Sequence, residues 1–323
     1  MSHATVVASG TKIADEIGIS RSEVWRLIQQ LRALGVDVAG RPATGYQLRA
    51  VPDLLLPEMI APLVKGTIFA APNAKHIHHY YKIGSTNSEA MMAASEGAPE
   101  GSVFLAEEQL AGRGRGDHSW YSARSAGIYC SVILRPAMPP SDALLLSLAA
   151  GLAVRAAVTG IARLPVDLKW PNDLLLHGKK FCGILTEMNS EATRVRHLVI
   201  GEGINVNQTK LPPELKEIAT SLKLETGTEW SRVELCAALL KSLDREYQAL
   251  VSGGATARGS VLKRFEENAS SARGCGVRIE DDAAIDGAIA GVTEGLDARG
   301  FLQVRTAAGL RTVISGTVKI NSR

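Results

Sequence analysis

Residues 169–185 of this 323-residue chain read KWPNDLLLHGKKFCGIL and predict a β-hairpin. Proline fixes its own φ and disfavours helical geometry for the residue before it, so Trp170-Pro171 favours an extended entry. Residues 174–176 form a short apolar run, His177-Gly178 is typical of a turn, and residues 179–185 predict the returning strand.

Charged and amide side chains are concentrated at this hairpin. Lys169, Asn172, Asp173 and Lys180 lie in or beside it, although the surrounding sequence is mostly apolar. Lysines in such a setting indicate a bound negative group. The alternative is that both lysines are solvated turn residues and that Asn172-Asp173 caps the turn.

Length and composition are those of a globular protein with two or three domains. The chain is 46% hydrophobic and 21% charged, and no repeat or low-complexity tract is evident. The net charge of +3 is too small to indicate a nucleic-acid-binding protein by itself. Any contact with DNA must therefore come from a local patch.

The cysteines and the apolar segments indicate in which cellular compartment the protein lies. The four cysteines are widely spaced without a C-x-x-C pair, so we expect neither disulfides nor a structural metal, and we expect a cytoplasmic protein. The N-terminus lacks the pattern of a signal peptide. Residues 144–158 are apolar, but they include Arg155 and fall short of the ~20 residues of a membrane span. They predict a buried core helix, and no membrane partner is expected.

Residues 11–48 predict a winged helix-turn-helix. A short helix over 11–17 and a turn at 18–20 precede a helix from about Arg21 to Leu34, which Ser20 and Glu23 would open as a capping box. Residues 36–48 then predict a hairpin, the wing, with Arg41 at its tip. The apolar face of the second helix consists of Val24, Leu27, Ile28, Leu31 and Leu34.

The polar face of that second helix has the side chains that contact phosphates and base edges in DNA. Residues 1–50 hold six Lys and Arg against four Asp and Glu, a weak excess of the right sign. The alternative is a helical interaction module with a solvated face. The first ten residues are too short and β-branched for the covering helix of a winged helix, so this domain would be trimmed or the start would lie upstream. The candidate DNA-binding residues are Ser20, Arg21, Ser22, Trp25, Arg26 and Arg41.

Three further stretches offer polar groups or bare backbone to a ligand. Residues 84–87 (GSTN) follow a strand and open a helix, where Thr86 and Glu89 would form a capping box. Residues 112–120 (GRGRGDHSW) interleave glycines, which permit close approach, with arginines, whose forked donors match phosphate or carboxylate. This loop lacks the spacing of a P-loop. The third stretch is Gly201-x-Gly203-Ile204-Asn205.

From Gly274 onward, short alternating segments separated by Gly or Asp turns predict a small all-β barrel of about 50 residues. The segments are 277–280, 288–294, 301–306 and 311–314, and residues 315–320 fit a last strand. One predicted turn is Ile285-Asp286-Gly287.

In this order, these motifs resemble the bacterial bifunctional biotin–protein ligases that also repress biotin genes. The resemblance covers nearly the whole chain and implies an α/β multi-domain protein. A winged helix-turn-helix would span 1–52, and an α+β class II synthetase-like catalytic domain with a mixed sheet would span 53–271. A C-terminal SH3-like β-barrel would span 272–323. It also implies two steps: biotin and ATP form biotinyl-5′-AMP with Mg²⁺, and a lysine of a biotin carboxyl carrier protein then accepts the biotin.

The resemblance implies roles for individual residues. Lys180 would hold the biotin carboxylate and then the acyl-phosphate oxygen, while Arg113 and Arg115 would clamp phosphates. The biotin site would comprise Ser85, Thr86, Asn87, Gln109, Gly112, Arg113, Gly114, Lys180 and Gly183. The ATP site would comprise Arg115, Trp120, Lys169, Asn172, Asp173 and Asn205. Asp173 would contact Mg²⁺, directly or indirectly.

The chain departs from the family where bacterial regulators usually carry further arginines after Gly-Arg-Gly-Arg. Here Gly116-Asp117-His118 follows, and this lower charge would weaken adenylate retention or alter the homodimerisation that adenylate binding is expected to promote. Two alternatives to a ligase that also binds operator DNA remain. One is a biotin-sensing repressor with weak or lost ligase activity, and the other is a lipoate or octanoate transferase.

Overall fold

The computed structural model describes residues 7–33, 36–41, 44–49, 53–70, 76–116, 118–280 and 288–320. The chain divides into two compact units, 1–54 and 55–323. The predicted further division at 271/272 stays a prediction.

The N-terminal unit pairs two helices with a small sheet, as predicted. Its three strands are antiparallel in the order β1-β3-β2, so β2 and β3 form the predicted wing hairpin. The first strand was not predicted. The elements are β1 (Val7–Ala8), α1 (Gly10–Ile17), α2 (Arg21–Ala33), β2 (Val38–Arg41) and β3 (Gly45–Leu48).

Helix α2 begins with the capping box that its sequence predicts. The Ser20 backbone N–H donates to Glu23 Oε2 at 3.0 Å, and the Glu23 backbone N–H donates to Ser20 Oγ at 3.2 Å. These two bonds satisfy donors that the first turn of a helix leaves unpaired. Val24 and Ile28 are buried, whereas Leu27 of the predicted apolar face is 36% exposed. The predicted end of the helix, at residues 34–35, lies outside the described residues.

The larger unit is built on a seven-stranded mixed sheet in the order β4-β5-β6-β10-β9-β8-β7, in which only β4 and β5 pair in parallel among the described strands. Its strands are β4 (Ile77–Tyr80), β5 (Val103–Ala106), β6 (Gly127–Leu134), β7 (Asp167–Lys169), β8 (Asp173–Leu176), β9 (Lys179–Ser190) and β10 (Val195–Asn205). Its helices are α3 (Pro57–Ile60), α4 (Thr86–Ser95), α5 (Ala143–Ala162), α6 (Leu222–Thr226), α7 (Arg232–Ser252) and α8 (Gly254–Glu267).

The predicted hairpin is confirmed as β8 and β9. His177 and Gly178 both have positive φ, 48° and 79°, which suits a tight turn between twisted antiparallel strands. Strand β9 continues to Ser190, beyond the predicted end, because it pairs with β10 along most of its length. The pairing with β8 shifts register between Cys182 and Lys180, so a bulge at Phe181 precedes the rest of the strand.

The predicted core helix is confirmed as α5. Among the described residues, one helix, Pro140–Ala162, is long and apolar enough to cross a membrane. Most of its side chains are buried against the rest of this unit, as Leu145, Leu148 and Val154 illustrate. The helix therefore has its apolar partner inside the protein.

The C-terminal strands form a separate five-stranded antiparallel sheet in the order β14-β13-β12-β11-β15. Its core side chains, such as Val277 and Leu302, join the core of the larger unit, and the Trp170 indole N–H donates to the Gly300 carbonyl at 2.9 Å. The predicted turn at 285–287 lies outside the described residues. The strands are β11 (Arg273–Glu280), β12 (Ile289–Leu296), β13 (Leu302–Thr306), β14 (Gly309–Val313) and β15 (Thr317–Ile320).

A buried ion pair ties the start of the larger unit to its sheet. Glu107, just after β5, contacts Arg232 at 2.8 Å and His79 at 3.1 Å, and accepts from the Leu55 backbone N–H at 2.9 Å. Burial acts to raise the pKa of Glu107, but its hydrogen bonds and the Arg232 charge outweigh that and lower the pKa to about 2. Such a pair is costly to break, because the remaining charge would lie buried alone.

Glu202 on β10 is a second buried acid, with no such compensation. Its side chain is 2% exposed, and neither carboxylate oxygen has a hydrogen-bond partner among the described residues. Burial raises the pKa of Glu202 to about 8, because the low-dielectric interior disfavours the charged form. The folded protein therefore keeps this side chain protonated at neutral pH.

Glu202→Met is expected to remove a pH-dependent loss of stability. The pKa of Glu202 in the folded state exceeds its ordinary value. The stability that the protonated side chain contributes in the wild type is therefore fully present below about pH 4.5 and is lost as pH rises through about 8. The free energy of unfolding of the variant should exceed that of the wild type by a few kcal/mol more at pH 8 than at pH 5. Urea denaturation at several pH values measures this difference. Parallel pH profiles for the two proteins, with exposed Glu191→Gln as the control, would contradict the assignment.

Candidate active site

A cavity of about 320 Å³ opens on the face of the central sheet near α4. Strands β9 and β10 form its floor, and the predicted ligand motifs surround it. Side chains from the strand-to-helix corner, the Gly-Arg loop, the hairpin and the C-terminal sheet all reach it. They include Ser85, Thr86, Asn87, Gln109, Arg113, Gly114, Arg115, Trp120, Lys169, Asn172, Asp173, Lys180 and Gly183.

Glycines on the two floor strands create the space. A Cβ added at Gly203 would lie 2.5 Å from two atoms of the Trp120 indole, and one at Gly183 would lie 3.0 Å from the same ring. Gly183 and Gly203 are directly opposed in the β9–β10 ladder. The Trp120 ring therefore lies on bare backbone, and larger residues at either position would displace it.

Two lysines and one carboxylate lie at the hairpin end of the cavity. Lys180 Nζ lies 2.6 Å from Asp173 Oδ1 and 5.5 Å from the centroid of the Trp120 ring. Burial lowers the pKa of Lys169; the Asp173 charge opposes that shift and the Lys180 charge adds to it. With two cations and one anion, this end of the cavity is suited to an additional negative group.

Backbone pairing holds Lys180 in place. Its N–H donates to the Ile218 carbonyl, and its carbonyl accepts from the Thr220 N–H, both at 2.9 Å. The residue follows directly from the turn of the hairpin and precedes the bulge in β9. The backbone of Lys180 is therefore fixed by the hairpin together with the 218–220 segment, and the contact with Asp173 orients its ammonium. Both lysines line the cavity, as the interpretation with a bound negative group predicts, and the alternative of solvated turn residues stays open.

The opposite end of the cavity is polar but uncharged. The Thr86 N–H and hydroxyl donate to Gln109 Oε1 at 2.8 and 3.1 Å, and Gln109 Nε2 donates to Ser122 Oγ at 2.9 Å. Ser131 Oγ lies 2.9 Å from Thr86 Oγ1 and 3.0 Å from Asn87 Oδ1. These groups hold each other in fixed orientations, which suits recognition of a neutral ring with its own donors and acceptors.

Helix α4 begins one residue earlier than the predicted capping box implies. Ser85 is the N-cap, and its hydroxyl accepts from the Ser88 N–H at 3.4 Å. Glu89, which the prediction placed in the box, instead accepts from the Tyr80 hydroxyl at 3.4 Å. The capping box at Thr86 was therefore wrong, because the Thr86 hydroxyl is bonded to Gln109.

The Gly-Arg loop folds back on itself. Arg113 forms a bridge with Ser119, the Gly114 N–H donates to the His118 carbonyl at 2.7 Å, and the Trp120 N–H donates to Gly112 at 2.8 Å. Predicted position Asp117 lies outside the described residues. These bonds position Trp120, at the end of the loop, over the sheet.

Two residues predicted to bind a ligand are not among those that line the cavity. Gly112 is buried, and a Cβ there would lie 2.5 Å from the Trp120 carbonyl, so its bare backbone serves packing. Asn205 donates to the Thr220 carbonyl and accepts from Gln208, each at 3.0 Å. Their roles in binding stay predictions.

Several cavity or neighbouring residues were missed from the sequence. Ser131 and Ser122 lie on or near a strand that reads as plain core, and Glu187 pairs with Arg113 from the far part of β9. The C-terminal sheet adds Glu280 and residues 315–318 to the cavity wall. No local motif marks these positions.

The candidate DNA-binding residues are all exposed in the N-terminal unit. Trp25, a large aromatic side chain, is 58% exposed. Ser20 Oγ lies 2.9 Å from Ser22 Oγ, so the hydroxyl that caps the helix also contacts its neighbour. The remaining side chains are Arg21, Arg26 and Arg41.

Comparison with known proteins supports the assignment of each part. The biotin/lipoate A/B protein ligase family model matches residues 82–205, an HTH domain model matches 3–47, and the biotin protein ligase C-terminal domain matches 276–320. The chain is 35% identical to the bifunctional ligase/repressor BirA of Bacillus subtilis and 28% identical to that of Escherichia coli, in each case over 97% of this chain and 93% of the relative.

Among solved structures, the biotin protein ligase of Aquifex aeolicus in complex with biotin and ATP is similar, with a TM-score of 0.65 and 28% identity. The match covers 77% of this chain and all of the Aquifex protein. The order of domains, the cavity on the mixed sheet and these similarities agree. The chain therefore belongs to the family of bifunctional biotin protein ligase/repressors.

Proposed function

We propose that the chain joins biotin to a lysine of a biotin carboxyl carrier protein at the expense of ATP. The observation that carries this proposal is a single cavity with uncharged, fixed hydrogen-bonding groups at one end and Lys169, Lys180 and Asp173 at the other. Biotin has a neutral ureido ring at one end and a carboxylate at the other, so it matches this polarity.

In this proposal the ureido ring lies near Ser85, Thr86 and Gln109. The buried Nε1 of Trp120 lies against Gly203 and has no hydrogen-bond partner within the described part of the chain. Gly183 supplies bare backbone beside the biotin side chain. A biotin-shaped ligand would thereby bury its apolar chain against the Trp120 ring.

In the first step, a biotin carboxylate oxygen attacks the α-phosphorus of ATP. The bond from the α-phosphorus to the bridging oxygen breaks, and pyrophosphate leaves. Lys180 brings the two anions together, since its ammonium offers a point charge to the carboxylate and then to the acyl-phosphate oxygen. In the second step, the acceptor lysine amine attacks the acyl carbon, AMP leaves, and the amine loses a proton.

The nucleotide would lie toward Arg115, Lys169 and Asn172. Asp173 is the cavity carboxylate at this end, and the described residues contain no group of three or more His, Cys, Asp and Glu that could hold a metal ion. This fits Mg²⁺, which binds nucleotide sites through one or two carboxylates and the phosphates rather than through an all-protein cage. When bound, Mg²⁺ would neutralise phosphate charge beside Asp173.

The direct test is a transfer assay. Purified protein is mixed with ATP, Mg²⁺, biotin and a carboxyl carrier domain, and modified acceptor is measured by its mass shift, with lipoate as a parallel substrate. We expect transfer of biotin and not of lipoate, because the fixed polar groups match the ureido ring. Transfer of lipoate alone would establish the alternative acyl transferase. Tight biotin binding without transfer would favour a sensor that has lost its ligase activity.

Lys180→Ala is expected to lower the rate of adenylate synthesis by orders of magnitude, because the ammonium is proposed to act where charge develops. Pyrophosphate release in the absence of acceptor measures this step. The control is Lys179→Ala, since the neighbouring ammonium bonds to the Lys216 carbonyl instead of entering the cavity. Unchanged pyrophosphate release in the Lys180 variant, with the fold intact by circular dichroism, would rule out the assigned role.

We further propose that adenylate binding promotes homodimerisation, through the side of the larger unit that bears the 113–120 loop. A bound adenylate would contact this loop and thereby change the surface that a second copy contacts. Sedimentation should therefore detect a heavier species only with biotin and ATP together. The same monomer under all conditions would contradict the proposal.

The exposed face of α2 supports a second role in binding operator DNA. We expect Arg26→Ala to weaken binding roughly tenfold, since a contact to a base or phosphate is worth ~1–3 kcal/mol. The probe is duplex DNA selected from a random pool by the unmodified protein in the presence of biotin and ATP. Lys12→Ala, an exposed change on α1, is the matched control. Failure to select any sequence would argue against a repressor.

We place this activity in the cytoplasm. All four cysteines are free thiols, and three of them are buried, which is compatible with a reducing compartment.

A further inference from the structure

Glu187 on β9 carries a charge that the proposed reaction does not use. Glu187 is not among the described residues that line the cavity, and its side chain is 24% exposed. Its two carboxylate oxygens nevertheless accept a forked pair of bonds from the Arg113 guanidinium, at 2.8 and 3.0 Å. A third bond comes from Asn87 Nδ2 at 2.7 Å.

The pairing engages the side of Arg113 that would otherwise grip a phosphate. Two parallel N–H···O bonds to a carboxylate are a strong and orientation-specific arrangement for arginine. To clamp a phosphate, Arg113 would have to break both bonds and leave Glu187 with only the bond from Asn87. The same guanidinium also lies 3.5 Å from Ser88 Oγ, so it is directed toward α4.

The other partner of Glu187 leads directly into the polar end of the cavity. Asn87 Oδ1 contacts Ser131 Oγ, which contacts Thr86, and Thr86 donates to Gln109. Asn87 reaches Glu187 because it lies over Gly201, where an added Cβ would be 2.2 Å from Asn87 Oδ1. One continuous network therefore joins the uncharged end of the cavity to the Gly-Arg loop.

We propose that Glu187 is a positioning residue that anchors the Gly-Arg loop through Arg113. In this role Arg113 holds the loop against the sheet, and Gly114, Arg115 and Trp120 face the cavity as a consequence. Glu187 contacts neither biotin nor ATP. It retains the bound adenylate because it keeps the loop closed over it, and it couples that closure to the groups that bind the ureido ring. This inference rests on the proposed ligase function for its kinetic part only.

The first test needs no substrate. Limited trypsin digestion of the unliganded protein measures cleavage after Arg115, inside the loop. Glu187→Gln should speed cleavage about tenfold, because a hydrogen bond to a charged group contributes ~1.5–3 kcal/mol. Glu191→Gln is the matched control, since this exposed glutamate pairs with Arg196 outside the site. Equal cleavage of the wild type and the Glu187 variant would overturn the anchoring role, whatever reaction the protein catalyses.

The second test is a double-mutant cycle on adenylate retention. Labelled biotinyl-5′-AMP is formed on the protein, and its loss is followed after a chase. Glu187→Gln and Arg113→Gln should each shorten the half-life roughly tenfold, and the double variant should be no worse, because one interaction is lost in all three. The KM for ATP should change by the same factor in both single variants, because either substitution releases the loop that carries Arg115.

The swapped variant, Arg113→Glu with Glu187→Arg, should recover part of the retention, which a general loss of folding could not produce. A raised KM for ATP in Arg113→Gln, with no effect of Glu187→Gln, would overturn the proposal and make Arg113 a phosphate clamp. If the unmodified protein forms no adenylate, the ligase assignment fails, and the trypsin experiment still decides the anchoring role.

Discussion

Three glycines on β9 and β10 leave the face of the sheet beside the cavity without side chains, and two cavity residues pack into that space. Gly183 and Gly203 admit the Trp120 ring, and Gly201 admits Asn87. A strand normally projects alternate side chains on each face, so glycines at matched positions of two paired strands produce a depression in an otherwise filled surface. The polar end, the Gly-Arg loop and the hairpin lysines all depend on that depression for their common position.

Charge is distributed unevenly around this depression. The hairpin end combines two lysines with one carboxylate, whereas the far end has hydroxyl and amide groups that hydrogen-bond to one another. A ligand with a neutral ring and an anionic tail would therefore bind favourably in one orientation and unfavourably in the reverse one. The cavity therefore discriminates between ligands by where their charge lies. This discrimination requires no movement of the sheet.

The two buried glutamates near the central sheet differ in their protonation state. Glu107 is stabilised as an anion by Arg232, His79 and the Leu55 N–H, so it fixes the start of the larger unit at the end of β5. Within the described ranges Glu202 has no such partners, and it remains protonated at neutral pH. The difference arises from the available donors and not from depth, since both side chains are almost fully buried.

Local pattern was sufficient for many of the elements, whereas the candidate site residues came from the resemblance of their motifs to a family, and most of them line the cavity. The capping box at Ser20, the turn at His177-Gly178 and the apolar helix α5 were predictable because each depends on residues within a few positions of one another. The order of the glycine, arginine and lysine motifs indicated the family. The sequence did not reveal the partner of Arg113, the bonds of Asn205 or the contribution of residues 315–318 to the cavity. Those depend on the register of strands and on loops far apart in the chain, so the packed sheet alone decided them.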